Sequence, residues 1–106
     1  MSNETSVLDA AVIGKYCVVR GRNFGVFAGT VDAVEGERVL LKDARRLWYW
    51  DGAASLSQLA AEGVTMPDSC KFTVPVDSIL LNGVIEIIPA TDKAKAIIKG
   101  VKEWKR

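Results

Sequence analysis

Over much of this chain, the apolar and polar positions follow the short period that is typical of β-strands. Four apolar or aromatic segments follow one another in the first half, separated by turn-forming residues. They span residues 16–20, 24–34, 38–42 and 47–50. Glycines at 25 and 29 interrupt the second segment, and a strand bends most easily where a side chain is missing. The pattern therefore predicts a strongly bent meander of four strands.

A helical period occurs twice. Ser55 and Gln58 have the spacing of a capping box, and Gly63 stands where such a helix would end. Thr91 precedes a second apolar stripe with spacings of three and four residues. That stripe consists of Ala94, Ile97, Ile98 and Val101. The sequence therefore predicts a short middle helix over residues 55–62 and a C-terminal helix from residue 91.

The segment between the two predicted helices has strand character. Residues 70–76 alternate between apolar and polar, and Pro75 indicates an edge strand. Residues 79–81 and 84–88 follow, joined by Asn82 and Gly83, a pair that favours a hairpin turn. The predicted fold class is α+β: a small, strongly bent β-meander or SH3/Sm-like barrel with a short middle helix and a C-terminal helix.

Length and composition indicate one domain. A chain of 106 residues that is 49% hydrophobic and 25% charged has the composition of a soluble globular domain. We expect a partly flexible lead over residues 1–13, a β-rich core over 14–90 and a basic helix over 91–106. No apolar run approaches the roughly 18 residues that cross a bilayer, and the polar start does not resemble a signal peptide. The expected location is the cytoplasm.

The residue inventory disfavours catalysis. The chain contains no histidine, which is the usual acid–base group and a common zinc ligand. Cys17 and Cys70 stand alone in strand-like segments, without the paired spacing of a metal site or a disulfide framework. We expect both to be buried, reduced thiols. The sequence predicts a non-enzymatic protein with no cofactor and no metal.

The net charge is only +1, but its distribution is uneven. Residues 91–106 hold six basic and two acidic side chains, whereas residues 1–90 hold eight and eleven. Such a tail is either a solvated helix face or a surface that attracts an acidic partner. The near-neutral total makes nucleic acid the less favoured partner, because binding to a phosphate backbone usually requires a basic surface.

The densest candidate chemistry lies in residues 43–52. A nucleotide needs an apolar plane for its base and fixed positive donors for its phosphates. The candidate ligand-binding residues here are Arg45, Arg46, Trp48, Tyr49 and Trp50. In a strand, Trp48 and Trp50 share one face and Tyr49 lies on the other. Either the tryptophans form core and Tyr49 faces the ligand, or the reverse holds.

Two further interpretations concern the charged residues. The arginines of residues 43–52 have a purely structural alternative, in which they pair with Asp43 and Asp51. Arg20 and Arg22 flank Gly21 in a turn, where two guanidinium groups and backbone N–H groups could hold a phosphate. Both arginines are therefore also candidate ligand-binding residues.

Two resemblances to known families extend these expectations. Residues 14–44 resemble the opening meander of Sm-like and SH3-like barrels, in which a glycine-bent second strand precedes a third strand and an acidic turn. The combination of KDARRLWYWDGAASLSQLA at 42–60, CKF at 70–72 and IEIIP at 85–89 resembles a family of small bacteriophage and prophage accessory proteins, over residues 16–104. That resemblance implies a host-takeover or anti-defence protein in the cytoplasm of a bacterial host.

The expected function is the binding and sequestration of a nucleotide-type signalling ligand, of a cyclic or ADP-ribose type. The alternatives are a barrel that binds a host protein as inhibitor or adaptor, and an Sm-like nucleic-acid module. An apolar edge over residues 71–76 and the apolar runs 79–81 and 84–88 leave more apolar surface than a monomer readily hides. We therefore expect a homo-oligomer, and no membrane partner.

Overall fold

The computed structural model describes residues 6–106 and contains six strands and three α-helices. The predicted lead over residues 1–13 lies partly outside the described residues, at 1–5. The strands are β1 (Tyr16–Gly21), β2 (Gly25–Glu35), β3 (Arg38–Tyr49), β4 (Lys71–Phe72), β5 (Val76–Asn82) and β6 (Val84–Pro89). The helices are α1 (Val7–Ala10), α2 (Leu56–Glu62) and α3 (Asp92–Gly100), with a short 3₁₀ helix at Pro67–Ser69. The α+β class is confirmed.

All six strands join one antiparallel sheet in the order β4-β3-β2-β1-β6. Strand β5 shares an edge of β3 with β4, since it pairs with the first half of β3 and β4 pairs with the last residues. The sheet is open, because within residues 6–106 no ladder joins β5 to β6. A closed SH3-like or Sm-like barrel is therefore not confirmed.

Strand β3 differs from the prediction, because residues 38–42 and 47–50 are not separate strands. The structure has one strand, Arg38–Tyr49, and the acidic turn expected after residue 42 does not interrupt it. Asp43 adopts a positive φ of 49°, a conformation that aspartate tolerates better than most residues. Between the pairs Ala28–Arg45 and Thr30–Lys42, two residues of β3 lie opposite Gly29 alone. A β-bulge thus bends the strand without ending it.

The prediction for residues 70–88 was wrong in two respects. The alternating segment 70–76 forms only the two-residue strand β4, and an irregular stretch leads through Pro75 into β5. Proline donates no hydrogen bond to a ladder. Asn82 and Gly83 do not form a hairpin, because β5 pairs with β3 and β6 pairs with β1. The Arg22 N–H donates to the Gly83 carbonyl at 2.8 Å, so this crossing is tied to the β1–β2 turn.

Both predicted helices form, but the C-terminal one does not extend to residue 106 as expected: it ends at Gly100, because Val101 is already extended. Ser55 Oγ accepts from the Gln58 N–H at 3.1 Å, and Gln58 Oε1 accepts from the Ala54 N–H at 2.8 Å. Thr91 Oγ1 accepts from the Ala94 N–H at 3.0 Å and donates to the Ala61 carbonyl at 2.7 Å. The residue that caps α3 therefore also attaches it to α2.

Two buried clusters lie on opposite faces of the sheet. The first packs β-strand residues such as Tyr16, Val18 and Phe72 against Leu59 of α2 and Ile98 of α3. The second is built from strand residues, with partly buried residues of the N-terminal segment packed against it. Its buried members are Cys17, Val19, Phe27, Val31, Val39, Leu41, Ala44, Leu81 and Val84. Since β5 and β6 both contribute to this cluster, the sheet curves over it.

The cysteines follow the prediction in part. Both are free, and among the described residues neither forms a disulfide. Cys17 is buried, and this burial raises the pKa of its thiol to about 11. Cys70 is only half-buried, so the expectation of two buried thiols holds for Cys17 alone.

Candidate ligand-binding site

Arg45 is buried, and its guanidinium is held by backbone carbonyls. Its side chain is 3% exposed and donates four hydrogen bonds of 2.9–3.0 Å to backbone carbonyls. The acceptors belong to Phe72, Thr73, Ile98 and Val101. Burial lowers the pKa of Arg45, because removal from water disfavours its charge. The predicted pairing with an aspartate is wrong here, since Asp43 accepts from Lys99 Nζ at 2.7 Å.

Arg46 lies on the opposite face of the strand, because adjacent strand residues point to opposite sides. Its NH1 donates to the Phe24 carbonyl at 2.7 Å, and the guanidinium carbon lies 4.3 Å from the Phe27 ring centroid. Phe24 and Phe27 meet edge to face at 5.7 Å. The alternative in which Arg46 pairs with Asp51 is also wrong, since its guanidinium is held by a carbonyl and a ring.

The three aromatic residues after Arg46 do not alternate as expected. Trp48 is 62% exposed and Tyr49 is 50% exposed, whereas Trp50 is half-buried against the first core cluster. The pairing of β3 with β4 shifts register between Leu47 and Tyr49, which breaks the two-residue period. Trp48 and Trp50 thus do not share an environment, and neither arrangement of the aromatic run expected from the sequence is correct.

A hollow of about 370 Å³ lies beside Trp48. One wall consists of residues 23–26, at the turn into β2, and the other consists of Arg46, Leu47 and Trp48. We name it the Trp48 hollow. It brings two of the predicted ligand residues, Arg46 and Trp48, to one place. Tyr49, Trp50 and Arg45 do not line it.

The Trp48 ring also stacks on an aromatic residue of the C-terminal segment, Trp104. The rings of Trp48 and Trp104 are nearly parallel, at 4°, with centroids 6.3 Å apart, within the range of offset stacking. The Trp104 N–H donates to the Phe72 carbonyl at 2.9 Å. Lys71 Nζ lies 5.6 Å from the Trp104 ring centroid. The tryptophan pair therefore forms an exposed ridge with a cation beside it.

A second hollow, of about 420 Å³, lies on the Trp104 side of the ridge. Residues 102–105 line it together with Pro67, Asp68 and Cys70. We name it the Trp104 hollow. Its lining includes two basic residues, Lys102 and Lys105, and two acidic residues, Asp68 and Glu103.

Arg20 and Gly21 belong to β1, so the turn expected around Gly21 begins only at Arg22. Each of the two arginines is paired with a carboxylate on the surface. Arg20 Nε lies 3.3 Å from Glu86, and Arg22 NH2 lies 2.9 Å from Glu37. Neither arginine lines the Trp48 hollow. Arg20 and Arg22 therefore lie apart from Arg46 and Trp48, which line the hollow together.

Sequence reasoning missed several residues of the site. Phe24 and Phe27 were assigned only to a bent strand, although they hold Arg46 in place. Trp104 was not considered, although an aromatic residue within the basic segment KEWKR is a recognisable signal for a surface that meets anions. Lys71 reaches the ridge only because β4 pairs with the end of β3.

Fold and site together define a small α+β protein with an open antiparallel sheet and an exposed tryptophan ridge between two hollows. Residues 14–98 match a family described as "Domain of unknown function (DUF6948)". Since the match spans most of the chain, the protein belongs to this family. A comparison with curated proteins found no match. The resemblances to phage accessory proteins and to Sm-like barrels are not part of this match and stay hypotheses. In residues 6–106 no helix is long and apolar enough to cross a membrane.

Proposed function

We propose that this protein binds a nucleotide-type ligand in the Trp48 hollow and acts by holding that ligand. One observation carries the proposal: an exposed tryptophan face adjoins an arginine whose guanidinium is fixed in position. Aromatic planes take up bases of any sequence, and guanidinium groups take up phosphates with defined geometry.

The fixed position of Arg46 favours binding at low entropic cost. Its NH1 donates to the Phe24 carbonyl, and its guanidinium carbon lies 4.3 Å from the Phe27 ring centroid. Within residues 6–106, its Nε and NH2 donate no hydrogen bond comparable to that of NH1. A phosphate in the hollow would receive these donors from a side chain that is already ordered, which reduces the cost of immobilisation.

The chemistry of the hollow favours binding over catalysis. Its functional side chains are those of Asn23, Arg46 and Trp48. An amide, a guanidinium and an indole donate hydrogen bonds and stack, and none of them is among the usual general bases or nucleophiles. We therefore propose a non-enzymatic role.

The resemblance to phage accessory proteins extends this proposal to a biological role. We propose that the protein acts in the cytoplasm of a bacterial host and withdraws a nucleotide signal of the cyclic or ADP-ribose type.

We also propose that the fold is a barrel of the SH3/Sm kind. The support is that the consecutive strands β5 and β6 pair with opposite ends of the meander, β3 and β1.

We also propose that a second copy covers the outer face of β5. Val76 and Leu80 are 45% and 48% exposed, and Leu80 borders an apolar hollow of about 380 Å³ together with Leu40 and Val34. Exposed apolar surface of this kind on an edge strand is typical of an interface. Binding of a host protein at the same face is the alternative function.

Calorimetric titration with mononucleotides and ADP-ribose tests the binding proposal. Trp48→Ala should weaken binding about fivefold or more, because a stacked base contributes about 1–3 kcal/mol. Arg46→Met should weaken it about tenfold or more, because a charge-assisted hydrogen bond contributes about 1.5–3 kcal/mol. The matched controls are Tyr49→Ala, an exposed aromatic residue outside the hollow, and Arg38→Met, an arginine paired with Glu35 on the surface. Equal losses in the control variants, or no binding by the wild type at millimolar ligand, would contradict the proposal.

A further inference from the structure

We infer that the ligand spans the tryptophan ridge and carries at least two nucleotides, one on each side. This inference rests on the proposed function, since the first nucleotide is the one in the Trp48 hollow. It adds the Trp104 hollow as a second subsite. The chemical class is therefore two bases joined through a phosphodiester, in a linear or a cyclic ligand.

The ridge itself supports a ligand longer than one nucleotide. Trp48 borders one hollow and Trp104 borders the other, and their rings lie nearly parallel at 4°. Both rings remain accessible, with Trp48 62% and Trp104 38% exposed. Two hollows of similar size, about 370 and 420 Å³, thus adjoin one continuous aromatic surface. A mononucleotide would use only one of them.

The charges around the Trp104 hollow fit a second phosphate. Lys71, Lys102 and Lys105 contribute three ammonium groups at or beside this hollow. Of the two carboxylates that line it, Glu103 lies 3.4 Å from Lys105 Nζ, in an exposed pair that competes only weakly with a phosphate. Asp68 is the remaining negative group. Three ammonium groups thus face two carboxylates, so the net charge around this hollow favours an anion. Lysines act as point charges and do not select the geometry of that anion.

The second subsite is held in position by Arg45. Its guanidinium binds the carbonyl of Val101 at 2.9 Å and that of Phe72 at 3.0 Å. Phe72 in turn accepts from the Trp104 N–H at 2.9 Å and bridges to Glu103. The backbone on which Trp104 is carried is therefore fixed against β4. Arg45 is a positioning residue for this subsite and does not touch the ligand.

The test compares the affinity of AMP with that of linear pApA and cyclic di-AMP, measured on the full chain by calorimetry at fixed salt. We expect at least one of the two-base ligands to bind about tenfold or more tightly than AMP, since each additional stacked base adds to affinity. A preference for pApA identifies a linear ligand, and a preference for cyclic di-AMP identifies a cyclic one. If AMP binds and neither two-base ligand binds more tightly, the inference is wrong while the proposed function stands. If neither AMP nor either two-base ligand binds, the proposed function fails and the inference fails with it.

Two variants localise the effect. Trp104→Ala should reduce the affinity for the preferred two-base ligand to the affinity for AMP that the same variant shows. The double variant Lys102→Gln, Lys105→Gln leaves the tryptophan in place and should lower the salt dependence of two-base binding, because fewer counterions are exchanged. An unchanged preference for two bases in both variants would overturn the assignment of the second subsite to the Trp104 hollow.

Discussion

Replacement of Arg45 by methionine should strongly destabilise the protein. Methionine keeps an unbranched apolar side chain in the buried space but removes every donor. The four carbonyls that Arg45 now satisfies lie on two separate parts of the chain, the segment around β4 and the end of α3. The substitution therefore breaks the main polar connection between the C-terminal helix and the sheet.

The magnitude follows from the number of acceptors. A buried carbonyl left without a partner costs about 1–3 kcal/mol. The lower value applies where water can enter, and the guanidinium no longer has to be removed from water, which offsets part of the loss. Only the carbonyls of Thr73 and Val101 would be left without a partner, because Phe72 still accepts from the Trp104 N–H and Ile98 from the Val101 N–H. About 1–1.5 kcal/mol for each of these two, with about 0.5 kcal/mol for each bond lost at the other two, gives a destabilisation of about 3–4 kcal/mol. For a domain of this size, such a change lowers the Tm by roughly 15 °C or more.

Urea denaturation monitored by circular dichroism measures the effect, with Arg46→Met as the matched control. Arg46 makes one hydrogen bond, to the Phe24 carbonyl, and one cation–π contact, to Phe27. Arg46→Met should therefore lower the free energy of unfolding by only about 1–2 kcal/mol. Free energies of unfolding that agree within about 1 kcal/mol for the two variants would show that the buried hydrogen bonds of Arg45 do not stabilise the fold as argued.

Three further predictions concern the backbone, a thiol and the outer face. Gly29→Ala should destabilise by about 1–3 kcal/mol in urea, because its Cβ would lie 3.0 Å from backbone atoms of β3, whereas Gly100→Ala meets nothing within 4 Å and should be neutral or slightly stabilising. At pH 8, alkylation of the native protein should modify Cys70 and spare Cys17, because Cys17 is buried and Cys70 is only half-buried. Burial raises the pKa of both thiols, that of Cys17 to about 11. Since the unfolded thiol ionises at about pH 8.5 and the folded one does not, Cys17 makes the free energy of unfolding fall as the pH rises from about 9 towards 11. Sedimentation should give a multiple of 11.5 kDa, and Leu80→Lys should shift the protein to the monomer.

Each of these has a defined contrary result. Equal stability of the Gly29 and Gly100 variants would show that β2 and β3 do not approach as closely as described. Rapid modification of Cys17 in the native state would show that its thiol is accessible. A monomer at high micromolar concentration in the unsubstituted protein would remove the case for a second copy on the outer face of β5.

The elements that the sequence predicted well are those governed by local interactions. Both helices carry their own caps, at Ser55 and Thr91, and apolar stripes of helical period. Strand β1 and the first turns follow from β-branched residues and glycine. These signals act over a few residues, so they are visible without knowledge of the partner elements.

The errors arose where distant pairing decided the structure. Asn82 and Gly83 favour a hairpin locally, but the ladders to β3 and β1 separate the two strands. The acidic turn expected after the third strand does not form, because the bulge opposite Gly29 keeps Asp43 within β3. Arg45 and Arg46 were treated as one pair, although the two-residue period of a strand already places them on opposite faces. Applied consistently, that period would have placed Arg46 with Trp48 and separated both from Arg45.

The site depends on contacts between segments far apart in sequence. Trp48 meets Trp104 only because β4 places the C-terminal segment beside the end of β3. The Trp48 hollow forms because the turn before β2 lies against the second half of β3. The sequence predicted aromatic and cationic residues for the ligand site. Which of them lie together, Arg46 with Trp48 and Trp48 with Trp104, depends on the tertiary structure.

The central claim, that a nucleotide occupies the Trp48 hollow, is tested most directly by nuclear magnetic resonance with selective detection of the three indole N–H groups. Titration with AMP should shift the Trp48 indole in a saturable manner, together with the backbone N–H of Gly25 and the side chain of Arg46. The half-buried Trp50 indole should stay in place and serves as the internal control. Saturable shifts confined to Trp50 or to residues outside the hollow, or no shift at millimolar AMP, would contradict the claim.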